Sequence, residues 1–340
     1  MEEPASRRLA NVASALQQFR SDGSPRPDPT GTRAGRGEEA RAQAEGVTGR
    51  FKHFLAIDWS GAAGEFHKGI AVALADARGG PPSLSRRTPA WSRTAVLQML
   101  RHDLPEDTLV GLDLGISLPF ADYSAFFPGW PDSPPDAKAL WALVDRLCSD
   151  DQNLAATTFV DHAEASRHFR RHGQREGDLF GARGERGGRG RFRVTERQQD
   201  LLGCRPYSNF NLVGAAQVGK ASLTGMRVLH RLEGRLPVWP VDPLPKTGSV
   251  LVEIYTSIAA LAGGRRPGRS KMRSFAELNL ALDRVGSPPV AGTGPLDDHS
   301  ADALLAAAWL RASAARPDLW RPALLTPGLA RTEGWTFGAT

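Results

Sequence analysis

The chain has 340 residues, 41% of them hydrophobic and 24% charged, with a formal net charge of +6. These proportions exclude a disordered or fibrous chain and allow one large domain or two ordinary ones, with a core that needs no staple. The basic excess permits an anionic partner without requiring one, and the two cysteines, Cys148 and Cys204, lack metal or redox spacing, which points to a reducing compartment.

No apolar core of a signal peptide follows Met1, and no apolar span is long enough to cross a membrane, so the expectation is a soluble cytoplasmic protein. Residues 5–19 carry Leu9, Val12, Leu16 and Phe19 at helical spacing behind Ser6, which predicts a short amphipathic helix. Residues 20–50 are rich in Gly, Pro, Arg, Glu, Ala and Ser and read as a mobile linker. Residues 1–50 are thus separate from a folded body at 51–340, and their helix offers a docking face for the body or for a second subunit.

The body opens on an apolar run, Phe54 to Ile57, that ends in Asp58, Trp59, Ser60 and Gly61. Such a run predicts a central strand covered on both faces, at residues 53–59. Strands are also expected at 67–74 and, more weakly, at 83–91, joined as an antiparallel meander. Ser92 caps a helix that uses Val96, Leu97, Leu100 and Leu104. A fourth strand at 108–113 ends in Asp113, followed by Leu114 and Gly115.

Residues 120–209 break the pattern and predict a large insertion over one rim of the sheet. It holds Tyr123, Phe126, Phe127 and Trp130, a helix near 136–148, and a Gly- and Arg-rich stretch at 177–193. That stretch carries Arg183, Arg186, Arg189, Arg191 and Arg193 and reads as a flexible basic loop. Helical spacing resumes at 210–232. A fifth strand at 248–255 contains Glu253, a helix covers about 275–285, and a last helix begins at Asp297 or Asp298 and carries His299 and Asp302. Asp298 and Asp302 lie on one face at i, i+4, as do His299 and Asp302 at i, i+3.

Acids at the ends of the first and fourth strands and at one helix start would repel one another and raise each other's pKa. A divalent cation relieves that repulsion, and hard oxygen donors suit Mg²⁺ or Mn²⁺. Two such ions about 4 Å apart are a recurring clamp for in-line phosphoryl transfer. Each acid also has a structural alternative. Asp58 and Asp113 can cap turns, Asp302 can answer the helix dipole, and Asp297 or Asp298 can be the cap. His299 is either a ligand or a surface residue, and Glu253 either serves the metal or pairs with a cation. Arg193, Lys220 and Lys271 are candidates to meet phosphates, against the alternative of ordinary solvated charges. Arg197, Tyr207 and Phe210 either stack bases or pack.

The element order resembles the ribonuclease H-like fold, in which Asp58, Asp113 and Asp302 fall at metal-binding positions. His299-Ser300-Ala301-Asp302 resembles the last motif of RuvC-type Holliday-junction resolvases. Ala56-Ile57-Asp58, Gly111-Leu112-Asp113, Val252-Glu253-Ile254-Tyr255 and the Asp298–Asp302 pair resemble the bacterial family called domain of unknown function 429. The resemblance implies an α/β protein with a mixed five-stranded sheet flanked by helices and a large insertion after the fourth strand. It also implies a metal-dependent nuclease or phosphodiesterase acting on DNA or RNA with Mg²⁺ or Mn²⁺. Asp58, Asp113, Asp302 and His299 would be its metal ligands, and Asp58, Asp113, Asp302, Glu253 and Asp298 its catalytic acids. Asp113 is one methylene shorter than the Glu that resolvases usually carry there. Two other functions fit the same residues: a non-catalytic nucleic-acid-binding protein, and a nucleotide-binding phosphotransferase of the actin and sugar-kinase type. A Ser/His or Cys/His hydrolase has no supporting motif.

Overall fold

The structure is a computed structural model that describes residues 49–340 apart from 174, 182–188, 215–217 and 269–270. The expected helix at 5–19, nearly all of the linker, Arg183 and Arg186 therefore lie outside the described residues. The rest is an α/β fold around a mixed sheet of six strands, one more than expected, in the order β3-β2-β1-β4-β8-β7. These strands are β1 (His53–Asp58), β2 (Ala71–Asp76), β3 (Ser83–Leu84), β4 (Thr108–Asp113), β7 (Val238–Trp239) and β8 (Val250–Ile254). Strands β1 to β3 form the expected antiparallel meander, while β1–β4, β4–β8 and β7–β8 pair in parallel.

β1, β4 and β8 are buried almost throughout, as continuous apolar runs in a covered sheet require. Alternation divides their side chains between two cores. Leu55, Ile57, Val110, Leu112 and Leu251 face one, with Phe54, Ala56, Leu109, Val250 and Val252 facing the other. The first core is closed by α1 (Arg93–Gln98), α2 (Ala137–Leu147) and α5 (Val218–Arg231). The second is closed by α6 (Thr256–Ala262), α7 (Phe275–Arg284) and α8 (Asp298–Ser313). Ala301, Ala303, Ala306, Ala307 and Ala308 let α8 lie close to the sheet. Gly111 of β4 has no room for a side chain there, because a Cβ would press on Leu310 and Ile254.

Three strands depart from expectation. β2 starts four residues late, because His67 turns the chain, donating its amide to Trp91 and accepting from Ile70. β3 keeps two paired residues, after which the chain leaves the sheet and Trp91 Nε1 donates to the carbonyl of Ser85. β7 was not foreseen, since two residues between Pro237 and Pro240 carry no periodicity.

Where it is described, the insertion is packed rather than loose. A short helix, α3 (Thr157–Asp161), and a hairpin, β5 (Arg170–Arg171) with β6 (Arg175–Glu176), lie beside an aromatic cluster of Phe127, Phe159, Phe169 and Phe210, and a further helix, α4 (Val194–Leu201), starts against the second core. Phe210 is thus a core residue, not a stacking platform. The basic stretch also departs from expectation where it is described. Arg191 is buried against Asp122 and the carbonyls of Pro119, Ala125 and Phe126, and Arg193 is buried as well. Arg189 is exposed and donates to the Pro206 carbonyl.

Candidate active site

Asp58 is the last residue of β1 and Asp113 the last of β4, and the parallel register places them side by side. Both share the sheet face of Phe54, Ala56 and Leu109, toward α8. The first turn of α8 lies over them. Asp297 caps it, its Oδ1 accepting from the amide of Ser300 at 2.8 Å. Two residues on, His299 Nδ1 sits 2.9 Å from Asp58 Oδ2. Asp113 accepts from the Thr256 hydroxyl at 3.0 Å and from the Thr256 amide at 3.3 Å, at the start of α6. Asp58, Asp113 and His299 line one cavity of about 280 Å³ together with Asp298, Asp302 and Tyr207, and Arg193 and Glu253 line its far wall.

The electrostatics follow from this crowding. Burial, then the charge of Asp58, pushes the Asp113 carboxyl well above the usual carboxylate range. Burial, then Asp58 and Asp298, raises Asp302 to about 7. Burial also raises Asp58, while the contact with His299 works against it. The same contact raises His299. His299 and Lys271 both work against these shifts, but burial and mutual repulsion outweigh them and hold the three carboxyls above their ordinary values.

The remaining predicted residues divide. Asp298 is engaged by Lys271 at 2.6 Å, with Arg273 at 3.8 Å, on the cavity rim. Lys271 is 65% exposed, so its ammonium faces solvent on that rim while it pairs with Asp298. Lys220 lies beyond the Ser60–Gly61 turn and lines a different cavity. Glu253 pairs in register with Leu112, so its side chain leaves the opposite face of the sheet from Asp113. There it accepts from both terminal nitrogens of Arg193 at 2.8 and 2.6 Å, from the amide of Ile116 and from the Thr336 hydroxyl.

Two of the predicted residues are engaged with each other. Glu253 is the ion-pair partner of Arg193 and reaches the same cavity from the opposite face of the sheet to Asp113. Arg193, 1% exposed, also donates to Glu196 and to the carbonyl of Glu333, so its donors are already taken although it lines the cavity. Sequence reasoning missed Thr256, whose signal was a hydroxyl two residues past a strand parallel to the one ending in Asp113. Of the three residues left between stacking and packing, Tyr207 remains 54% exposed at the mouth.

Among the described residues, no three His, Cys, Asp or Glu side chains converge as a ready metal-ligand set. Asp58 and Asp113 are turned instead toward His299 and Thr256. The donor chemistry nevertheless suits a hard divalent cation: three aspartates, two with strongly raised pKa values, surrounded by too little positive charge. No protein-family model, curated protein or solved structure matches the chain. Among the described residues no helix is long and apolar enough to cross a membrane.

Proposed function

We propose that the chain is a ribonuclease H-like, metal-dependent phosphodiesterase acting on nucleic acid in the cytoplasm. The observation that carries this reading is the in-register pairing of Asp58 with Asp113 on one sheet face beneath Asp302 and His299. The antiparallel meander with the fourth strand parallel to the first supports the fold assignment. Asp58, Asp113 and Asp302 would hold Mg²⁺ or Mn²⁺, which supplies the positive charge that a phosphodiester needs as charge develops on its oxygens. The chain's own residues do the rest. Asp58 orients His299 through Nδ1 and keeps a proton on the ring, leaving Nε2 to exchange a proton with water or a leaving oxygen. Thr256 fixes the Asp113 carboxylate. Lys271 at the rim and the exposed face of Tyr207 give a strand a cation and a stacking surface beside the acids.

The phosphotransferase alternative needs two copies of the fold around a cleft, whereas the described residues build one large sheet and one small hairpin. The test is cleavage of single-stranded, duplex and branched DNA and of RNA in Mn²⁺, by wild type and by Asp58→Asn and Asp113→Asn. Metal-dependent cleavage lost in both variants is the expected result; equal cleavage in wild type and variants would overturn it.

A further inference from the structure

A second cavity, of about 190 Å³, lies on the other side of the Ser60–Gly61 turn from the acid cluster. The turn and the start of α5 form the wall between the two. Ala221 lines the acid cavity, and Lys220 and Gly61 line the second. Their contact is so close that a Cβ at Gly61 would fall into the backbone of Lys220 and Ala221.

The charge of the second cavity is opposite to that of the first. Arg93, Arg171, Arg175 and Lys220 line it with a single carboxylate, Asp161, leaving an excess of three positive charges. Asp161 is shared by Arg171 at 2.9 Å and Arg175 at 3.5 Å. Arg93 is 1% exposed and meets only carbonyl oxygens, those of Ser60, Ala62 and Asn153. Lys220 has no carboxylate partner among the described residues, and burial lowers its pKa. The Nε of Arg171 is buried without a hydrogen-bond partner. Like charges gathered at a partly buried site are costly unless an anion joins them.

We propose that this cavity is a phosphate-binding site, in which Lys220, Arg171 and Arg175 grip a phosphate group from a nucleotide or from a nucleic-acid backbone. Guanidinium forks and an ammonium are the donors that phosphate oxygens take best. The site does not depend on catalysis at the acid cluster, because none of its residues belongs to that cluster.

The test is isothermal titration of the full chain in EDTA and low salt, with inorganic phosphate and a short oligothymidylate as probes. Wild type is compared with Lys220→Ala, Arg175→Ala and the distant Arg235→Ala, each first checked for folding by its thermal melt. Among the described residues the Lys220 ammonium has no partner, so its truncation leaves none of them unsatisfied. The expected result is binding weakened about tenfold by each cavity substitution, the loss of one charge-assisted hydrogen bond, and unchanged in Arg235→Ala. Tighter binding of phosphate than of oligothymidylate assigns the cavity to small phosphate compounds, and the reverse order assigns it to a strand backbone. No binding of either probe, or equal binding in wild type and both cavity variants, overturns the proposal.

Discussion

Asp58 and Asp113 are direct partners across the parallel β1–β4 pair, so two carboxylates leave one face of the sheet from adjacent strands at the same level. Nothing in sheet geometry favours this; apolar residues there would be more stable. The pairing concentrates negative charge where α8 brings a third aspartate and a histidine. Divalent cations should therefore bind with release of protons, because burial and mutual repulsion raise the pKa of both Asp113 and Asp302. Calorimetry of Mn²⁺ in buffers of different ionisation enthalpy measures both. Asp113→Asn should weaken binding at least tenfold, and an unchanged isotherm would rule out that ligand set.

The same raised pKa values fix a stability trend. Asp302 titrates near its ordinary value when unfolded and at about 7 when folded. Between those values the unfolded chain loses a proton that the folded chain keeps, so stability falls as pH rises from about 4 to about 7. Asp113 acts in the same direction. His299, raised in the fold by Asp58, adds stability below its unfolded pKa that is lost as pH rises through the folded value. Denaturant midpoints in EDTA should be lower at pH 8 than at pH 5, by on the order of a few kcal/mol in stability. Asp302→Asn should flatten the slope and be the more stable protein at pH 8. A wild-type profile that rises with pH would contradict the charge arrangement.

Arg193 and Lys271 were both expected to meet phosphates, and they should behave oppositely on truncation. Arg193→Met leaves Glu253 and Glu196 buried without their cation and should cost about 3–5 kcal/mol. Lys271→Ala breaks an exposed pair with Asp298 and should cost less than about 1 kcal/mol. It should still weaken binding of a nucleic-acid strand and make that binding less steeply dependent on salt. Urea unfolding and a gel-shift salt series separate these two roles.

Gly61 sits where the acid cavity and the cationic cavity meet. Gly61→Ala has to displace either the turn after β1 or the start of α5, at a cost of about 1–3 kcal/mol. Both Mn²⁺ and phosphate binding should weaken together, since Asp58 and Lys220 lie on the two moving segments. Loss of only one of the two on titration would show that the turn does not couple the cavities.

How much of this was legible in the sequence depended on burial. β1, β4 and β8 were readable because strands covered on both faces are written as apolar runs, and the acids closing β1 and β4 stood out against them. The start of α8 was readable because cap, charges and apolar spacing coincide. What stayed hidden depends on register and on distant partners. The face chosen by Glu253 follows from its pairing with Leu112, which no local pattern encodes. Arg191 and Arg193 look like solvated charge beside so many glycines, yet they are buried because Asp122, Glu196, Glu253 and a carbonyl 140 residues away receive them. The cationic cavity was equally invisible, since Arg171 and Lys220 meet only in space.

The network around Arg193 also sets an order of events during synthesis. Its members come from the insertion, from β8 and from residues 333–336, where Glu333 accepts from the amides of Phe120, Ala121 and Val194 and Thr336 donates to Glu253. A nascent chain that lacks residues 333–337 leaves Arg193 and Glu253 without Glu333 and Thr336, and the second core without Trp335 and Phe337. The network cannot close until residues 333–337 are available to it. Nascent chains stalled or cut before that point would be natural clients of chaperones and proteases.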